Sequence, residues 1–197
     1  MAAICVSEMY KGFVEHIYKL LLCFSLRIIL NSMRILDQKK IKQKIKRLAI
    51  EIIENNYNEK EIIIAGINNN GHGFAKLILR QLRKLSADIK FTTARVTLDP
   101  AKPLSTEVTM SIPPADYKGK VVILIDDVAN TGRTTFFAFK PFMEVLTKKI
   151  EVAVLVNRKH KLFPIKVDYV GVSLATTLKE NIEVRLLDVE EMEVWLV

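Results

Sequence analysis

One segment near the middle of the chain combines residue types that could bind a phosphorylated sugar. Residues 121–135 read VVILIDDVANTGRTT, in which five apolar residues precede two adjacent carboxylates, a glycine turn and hydroxyl side chains. Carboxylates at the end of a buried strand are costly unless they meet hydroxyl groups, a metal ion or water, and vicinal hydroxyls suit them as donors. The following turn opens a helix, whose unpaired N–H groups favour a phosphate dianion. The spacing predicts a diol receptor beside a phosphate cradle, the shape of a ribose 5-phosphate.

A purely structural role is the alternative for this segment. Asp126 and Asp127 could cap the next helix, and Thr131 could fill a turn. One acidic cap would be ordinary, but two acids followed by Thr-Gly-Arg-Thr after an apolar strand are harder to explain in that way. We therefore favour the ligand site.

The elements around this segment are predicted to alternate between strands and helices. Apolar residues at helical spacing, with lysines crowding the other positions, predict a basic-faced amphipathic helix over residues 38–55. Short apolar runs and a polar, glycine-containing stretch suggest the remaining elements. We predict strands at 61–66, 89–98, 121–125, 150–156 and 167–172 with one or two more in 184–197, helices at 74–85 and 133–147, a polar loop at 68–73, and a long loop with one short strand at 99–117.

This alternation predicts an α/β fold, with a parallel sheet covered by helices on both faces. Ligands of such sheets bind at the carboxyl ends of the strands, near a switch in strand order. Pro141 is expected to kink the second helix or end it early, because proline lacks the N–H that a helix interior needs.

Composition and charge describe a globular chain with a preference for anions. The 197 residues fit one domain, half of them are hydrophobic, and the net charge of +8 favours phosphates, nucleotides or RNA. A solvated lysine-rich helix face would account for the same charge. Both cysteines, Cys5 and Cys23, precede residue 33, so the body of the chain has neither a disulfide framework nor a thiolate metal site, and we expect a cytoplasmic location.

The first 32 residues differ from the rest. The apolar run 20–30 is too short to span a membrane and contains Arg27, and no convincing signal-peptide cleavage site follows it. An extra amphipathic helix, a weak membrane-surface anchor and a start codon assigned too early are the alternatives. We favour the last, because Met33 begins a sequence that reads as a complete domain over 33–197, and we expect no membrane partner.

The segment 121–135 resembles the signature of the type I phosphoribosyltransferases, which use 5-phosphoribosyl 1-diphosphate (PRPP). The resemblance implies a three-layer fold, with a central, mostly parallel sheet flanked by helices and a small hood. In that family the paired acids hold the ribose hydroxyls, which gives this catalytic role to Asp126 and Asp127. The loop that holds the 5-phosphate corresponds to Val128, Ala129, Asn130, Thr131, Gly132, Arg133 and Thr134.

A narrower resemblance covers most of the chain from Met33 on. Residues 153–171, 45–55 and 65–75 are similar to the bifunctional pyrimidine-operon regulators with uracil phosphoribosyltransferase activity. This implies transfer of the phosphoribosyl group from PRPP to a nucleobase, uracil first and a purine next, in a homo-oligomer. Mg²⁺ would be held mainly through the substrate, with Asp126 as a possible ligand. The implied pyrophosphate loop is Gly66, Ile67, Asn68, Asn69, Asn70 and Gly71, and the implied base or RNA side is Arg158, Lys159, His160 and Lys161.

Three departures from the family pattern weaken the case for fast catalysis. Asn68 and Asn70 stand where the family usually has a lysine and an arginine, and charge-assisted hydrogen bonds are roughly twice as strong as neutral ones. The loop over 99–109, which normally closes over the site, has Lys102 as its only cation. Asn157 stands where the subfamily usually has an aspartate.

The alternative function is a catalytically weak, nucleotide- or PRPP-sensing regulator of pyrimidine genes that binds RNA. Its RNA surface would combine the lysine-rich face of the first predicted helix with the basic stretch after the strand at 150–156. The cations concerned are Lys39, Lys40, Lys42, Lys44, Lys46, Arg47, Arg158, Lys159 and Lys161, together with His160.

Overall fold

The structure, a computed structural model, describes residues 32–175 and 180–197, so the prediction for residues 1–31 lies outside it. No helix in these two ranges is both long and apolar enough to cross a membrane. The helices are α1 (Gln38–Asn55), α2 (Asn68–Leu85), α3 (Pro114–Tyr117), α4 (Arg133–Ala138) and a 3₁₀ helix (Lys140–Met143). The strands are β1 (Met33–Leu36), β2 (Glu61–Ile67), β3 (Lys90–Thr97), β4 (Thr109–Met110), β5 (Val121–Ala129), β6 (Lys149–Arg158), β7 (Tyr169–Leu174), β8 (Ile182–Arg185) and β9 (Glu193–Leu196).

The central sheet has six strands in the order β4-β3-β2-β5-β6-β7. All neighbours pair in parallel except the short edge strand β4, which runs antiparallel to β3. The chain moves outward from β2 to β3 and then returns to place β5 on the other side of β2. The order in which strands are added therefore reverses between β2 and β5. The carboxyl ends of these two strands form the crevice where ligands of open α/β sheets bind.

Both faces of the sheet are buried, which explains why β2 and β5 are almost continuously apolar. On one face Ile62, Ile64 and Ile123 pack against α1 and α2. On the other face Ile63, Val122 and their neighbours pack against α3, α4 and the 3₁₀ helix. The predicted α/β fold with helices on both sides of a mostly parallel sheet is confirmed.

Helix α2 starts six residues earlier than predicted, and the loop predicted at 68–73 is wrong. The Asn-rich, glycine-containing stretch suggested a turn, but it forms the first turns of the helix. Its glycines permit close packing: a Cβ on Gly71 would lie 2.6 Å from the carbonyl oxygen of Ile125, and one on Gly73 would lie 2.4 Å from Leu187. The implied pyrophosphate loop is therefore the end of β2 followed by a helix start.

Two neighbouring boundaries also differ from the prediction. β5 continues to Ala129, so both acids lie within the strand rather than after it. The helix predicted over 133–147 ends at Ala138, and the 3₁₀ helix containing Pro141 follows, as expected from the missing proline N–H. The stretch 99–117 contains the predicted short strand, β4, and also the short helix α3.

A second, three-stranded antiparallel sheet in the order β1-β9-β8 forms the hood. β9 lies within 184–197, where one or two strands were predicted, and β8 begins just before that region, at Ile182. β1 was missed, because four residues show too little alternation to be recognised. The hood joins the main core through Leu36 and Val194, both of which are buried.

Candidate functional site

Two adjacent carboxylates lie at the carboxyl end of β5, at the switch point of the sheet. Asp126 is only 8 % exposed, and its Oδ1 accepts a hydrogen bond from the Asp127 N–H at 3.0 Å. Oδ1 of Asp127 accepts in turn from the Val128 N–H at 3.0 Å. Burial, and then the charge of Asp127, raise the pKa of Asp126 well above its usual range. Such a pair favours a proton, a cation or hydroxyl donors as its partner.

The segment Val128–Thr134 leads from the carboxylates into α4 and is called the phosphate loop below, after the role that the family resemblance implies. Gly132 has φ of 86°, a left-handed conformation that favours glycine, and a Cβ there would lie 2.6 Å from Ile165. The guanidinium of Arg133 donates to the carbonyl oxygen of Pro100 at 2.8 Å. This contact ties the phosphate loop to the stretch between β3 and β4.

Three asparagines from the first turn of α2 face the carboxylates across a cavity of about 340 Å³. Oδ1 of Asn68 accepts from the Leu98 N–H at 3.0 Å, and the side-chain amide of Asn70 donates to Asp127 at 3.4 Å. None of the residues that line this cavity is a lysine, arginine or histidine. They are Ile67, Asn68, Asn69, Asn70, Pro100, Asp126, Asp127 and Thr134.

The four residues predicted for the base or RNA side have two different environments. Arg158 is buried and donates to Oδ1 of Asn130 at 2.9 Å, while Lys161 donates to the carbonyl oxygen of Ala129 at 2.9 Å. Lys159 and His160 are exposed. Two of the four residues, Arg158 and Lys161, therefore contact the phosphate loop. The sequence did not predict these contacts, because they depend on two segments meeting at the carboxyl ends of β5 and β6.

The hood supplies site residues that the sequence reasoning did not find. A cavity of about 160 Å³ lies between the carboxylate site and the hood, lined by Asn70 and Asp127 on one side and by hood residues on the other. These hood residues are Val184, Arg185, Leu186, Leu187 and Val189. Their sequence, four apolar residues and Arg185, matches no motif of a binding site, so no local signal could have revealed their position.

The carboxylate pair fits Mg²⁺ as part of a shared site. Carboxylate oxygens suit this ion, which usually binds through one or two carboxylates together with substrate phosphates. Within the described ranges, no group of three or more histidine, cysteine, aspartate or glutamate side chains is arranged to hold a metal. An ion held at Asp126 would therefore take most of its other ligands from the oxygens of the substrate.

Comparison with known proteins agrees with this arrangement. The model of the phosphoribosyl transferase domain matches residues 31–188. The bifunctional protein PyrR of Pediococcus pentosaceus is 34% identical over 170 residues, covering 82% of this chain and 96% of that protein. The PyrR protein of Listeria welshimeri is 34% identical over 171 residues, covering 81% and 92%.

Solved structures share the fold at lower identity. A hypoxanthine-guanine phosphoribosyltransferase from Bacillus anthracis superposes with a TM-score of 0.63 at 19% identity, covering 77% of this chain and 87% of that one. Since the domain match spans most of the chain and the PyrR proteins match nearly along their whole length, the chain belongs to the phosphoribosyltransferase family, in its PyrR subfamily.

Proposed function

We propose that this phosphoribosyltransferase transfers the 5-phosphoribosyl group of PRPP to uracil, releasing pyrophosphate. The observation that carries the proposal is the carboxylate pair Asp126–Asp127, followed directly by the phosphate loop, at the switch point between β2 and β5. A diol receptor beside a phosphate cradle suits a ribose 5-phosphate. The 34% identity to proteins named bifunctional PyrR supports a pyrimidine base as the acceptor.

In this reaction a ring nitrogen of the base forms a bond to C1 of the ribose. The C1–O bond to pyrophosphate breaks, its electron pair leaves with the pyrophosphate, and the proton on the base nitrogen passes to solvent. Asp126 and Asp127 would orient the ribose, and the phosphate loop would anchor the 5-phosphate, so that positioning supplies much of the catalysis. Bound Mg²⁺, with Asp126 as a possible ligand, would neutralise charge on the leaving pyrophosphate.

Calorimetry with PRPP and Mg²⁺, followed by a pyrophosphate-release assay over a panel of nucleobases, tests this proposal. We expect binding, and release with uracil above the other bases. Variants Asp126→Asn and Asp127→Asn keep the shape of the site but remove its charges, so they should abolish PRPP binding. Unchanged affinity in these variants, or no binding of PRPP or any nucleoside monophosphate by the wild type, would contradict the site assignment.

A second candidate function, RNA binding, is favoured by a basic groove between α1 and α2. The groove has an apolar floor that includes Ile45, Leu77 and Met192, and its walls carry five exposed cations. Among the described side chains no acid pairs with any of the five. They are Lys42 and Lys46 of α1 and Arg80, Arg83 and Lys84 of α2. Unpaired cations along a groove suit a phosphate backbone.

Binding of a labelled RNA stem-loop over a range of salt concentrations tests this candidate. We expect the affinity to fall steeply as salt rises, because counterions are released on binding. The double variant Lys46→Glu/Arg83→Glu should weaken binding and flatten the salt dependence, whereas Lys118→Glu, an exposed lysine after α3, should not. No retention of RNA even at low salt would exclude the regulator.

We also propose that the chain forms a homo-oligomer and that it is located in the cytoplasm. Large apolar side chains are exposed at Leu146 (85%) and Leu162 (67%), and association would bury them. Light scattering coupled to size exclusion should therefore give a mass above that of the 22.5 kDa chain. A monomer at micromolar concentration would contradict this part of the proposal.

A further inference from the structure

The ammonium group of Lys161, in the loop between β6 and β7, is partly buried and lies among four oxygen atoms. It donates to the carbonyl oxygens of Ala129 (2.9 Å), Asn130 (3.0 Å) and Arg158 (2.6 Å), and to Oδ1 of Asn157 (2.7 Å). An ammonium carries three N–H bonds, so one of them is shared. Two of the oxygens belong to the phosphate loop and two to the end of β6, and one side chain therefore joins these two segments.

Main-chain hydrogen bonds from the next two residues also join the loop after β6 to the phosphate loop. The N–H groups of Leu162 and Phe163 donate to the carbonyl oxygen of Thr131 at 2.9 and 3.1 Å. The carbonyl groups of residues 129, 130 and 131 thus all accept hydrogen bonds from Lys161 or the two residues after it. The segment 161–163 therefore lies along one side of the phosphate loop.

This arrangement fixes which side of the loop carries its N–H groups. The described peptide bonds are trans, and in a planar trans peptide the C=O and the following N–H point in opposite directions. The N–H groups of Asn130, Thr131 and Gly132 therefore point away from the segment 161–163. Under the function proposed above, these N–H groups would donate hydrogen bonds to the oxygens of the 5-phosphate.

We propose that Lys161 is a positioning residue, which holds the carbonyl groups of Ala129 and Asn130 on the far side of the phosphate loop so that its N–H groups face the 5-phosphate. The inference rests on the proposed function of the site. It also gives Lys161 a role distinct from contact with a base or with RNA.

The environment of Lys161 provides a signature for this role. Burial, and then the charge of Arg158, lower the pKa of Lys161, so its ammonium loses a proton more readily than that of an exposed lysine. Arg158 is the charged group beside it, and its hydrogen-bond acceptors are neutral oxygens. Deprotonation would remove a donor and the charge that strengthens the remaining bonds.

Calorimetric titration with ribose 5-phosphate, a ligand without base or pyrophosphate, tests the proposal. Lys161→Met should bind it at least about tenfold more weakly, because charge-assisted hydrogen bonds to the loop are lost. Lys161→Arg keeps the charge and the donors and should recover part of the affinity. Lys166→Met is the matched control, since this lysine in the same loop has a side chain that is 86% exposed and should leave the affinity unchanged.

The pH profile separates positioning from general damage to the fold. The wild-type affinity should fall as pH rises towards the ordinary lysine pKa of about 10.4, while the ligand phosphate stays a dianion. Lys161→Met should show no such fall. If this variant does not fold, which thermal unfolding would reveal, Lys161→Arg and the wild-type profile carry the test.

Two results would overturn the proposal. One is equal affinity of the wild type and Lys161→Met for ribose 5-phosphate, and the other is a wild-type affinity that does not change over the alkaline range. Failure of the wild type to bind ribose 5-phosphate at all would instead overturn the proposed function, and this inference with it.

Discussion

The buried position of the Asp126 carboxyl group is unfavourable for its charged form. This group is buried beside a second carboxylate, so its charged form is disfavoured in the folded protein without a ligand. An acid whose pKa is raised by folding stabilises the fold at low pH, and this stabilisation is lost as pH rises through the raised pKa. The residue best placed to hold a ribose therefore weakens the ligand-free protein near neutral pH.

Asp126→Asn is consequently expected to stabilise the free protein while abolishing PRPP binding. The gain should be about 1 kcal/mol, or roughly 2–4 °C in the unfolding midpoint, because a carboxyl group whose ionisation is disfavoured by burial is replaced by a neutral group of the same shape. It should shrink at acidic pH, where Asp126 is protonated. Thermal unfolding at several pH values measures this, and a lower midpoint for the variant at neutral pH would contradict it.

Asn70 offers a second test at the residue scale. It is exposed on the first turn of α2, and within the described ranges its side-chain amide donates only to Asp127, at 3.4 Å. Asn70→Arg would place a cation beside the cavity, so kcat/KM for PRPP should rise by about tenfold through charge-assisted contacts. Gln81→Arg adds the same charge three turns further along α2 and serves as the control. No gain from Asn70→Arg would show that pyrophosphate binds elsewhere.

At the scale of elements, the strands were easier to predict than the boundaries near the site. β2 and the first part of β5 were predicted correctly, since strands buried on both faces are apolar runs. The start of α2 was not, because asparagine and glycine usually mark turns, and here tertiary packing against β5 overrides that tendency. Asp126 and Asp127 could be placed at the carboxyl end of β5 because the strand and the acids are adjacent along the chain, and their binding roles stay predictions. The contacts of Lys161 depend on two strands being neighbours, which no local pattern reveals.

The contact between α2 and β5 can be tested at Gly71. A methyl group there would lie 2.6 Å from the carbonyl oxygen of Ile125 and 3.1 Å from Asp126. Gly71→Ala should push the helix off the strand, destabilise the protein by about 1–3 kcal/mol and weaken PRPP binding. Denaturant unfolding measures the first effect and calorimetry the second. Lys76→Ala, on an exposed position of α2, is the control, and equal stability of the two variants would contradict the packing argument.

At the scale of the whole molecule, the hood and the main sheet meet at the site. Leu187 lies against Gly73 of α2, and its neighbours line the cavity beside Asp127. The phosphate loop belongs to the main sheet, whereas one wall of this second cavity belongs to the hood. A base bound in this second cavity and a 5-phosphate bound at the phosphate loop should therefore respond differently to a change where the hood meets α2.

Gly73→Ala would bring a methyl group within 2.4 Å of Leu187, a flexible side chain that can shift. We expect the KM for the nucleobase to rise several-fold, while the affinity for ribose 5-phosphate stays within about twofold, since the phosphate loop is not displaced. Steady-state kinetics and calorimetry measure the two effects. A loss of affinity for ribose 5-phosphate as large as the rise in KM for the nucleobase would contradict this division of the site.

The hydrogen bonds from Lys161 to the phosphate loop also limit how this protein could be redesigned. The end of β6 and the loop after it invite exchange between related enzymes, because the family resemblance implies a contact with base or RNA for Arg158, Lys159, His160 and Lys161. However, the same loop supplies the donors that support the phosphate loop from behind. Under the proposed function, a graft chosen only for its fit to a new base would remove that support, so we expect a change of base preference to weaken sugar-phosphate binding as well.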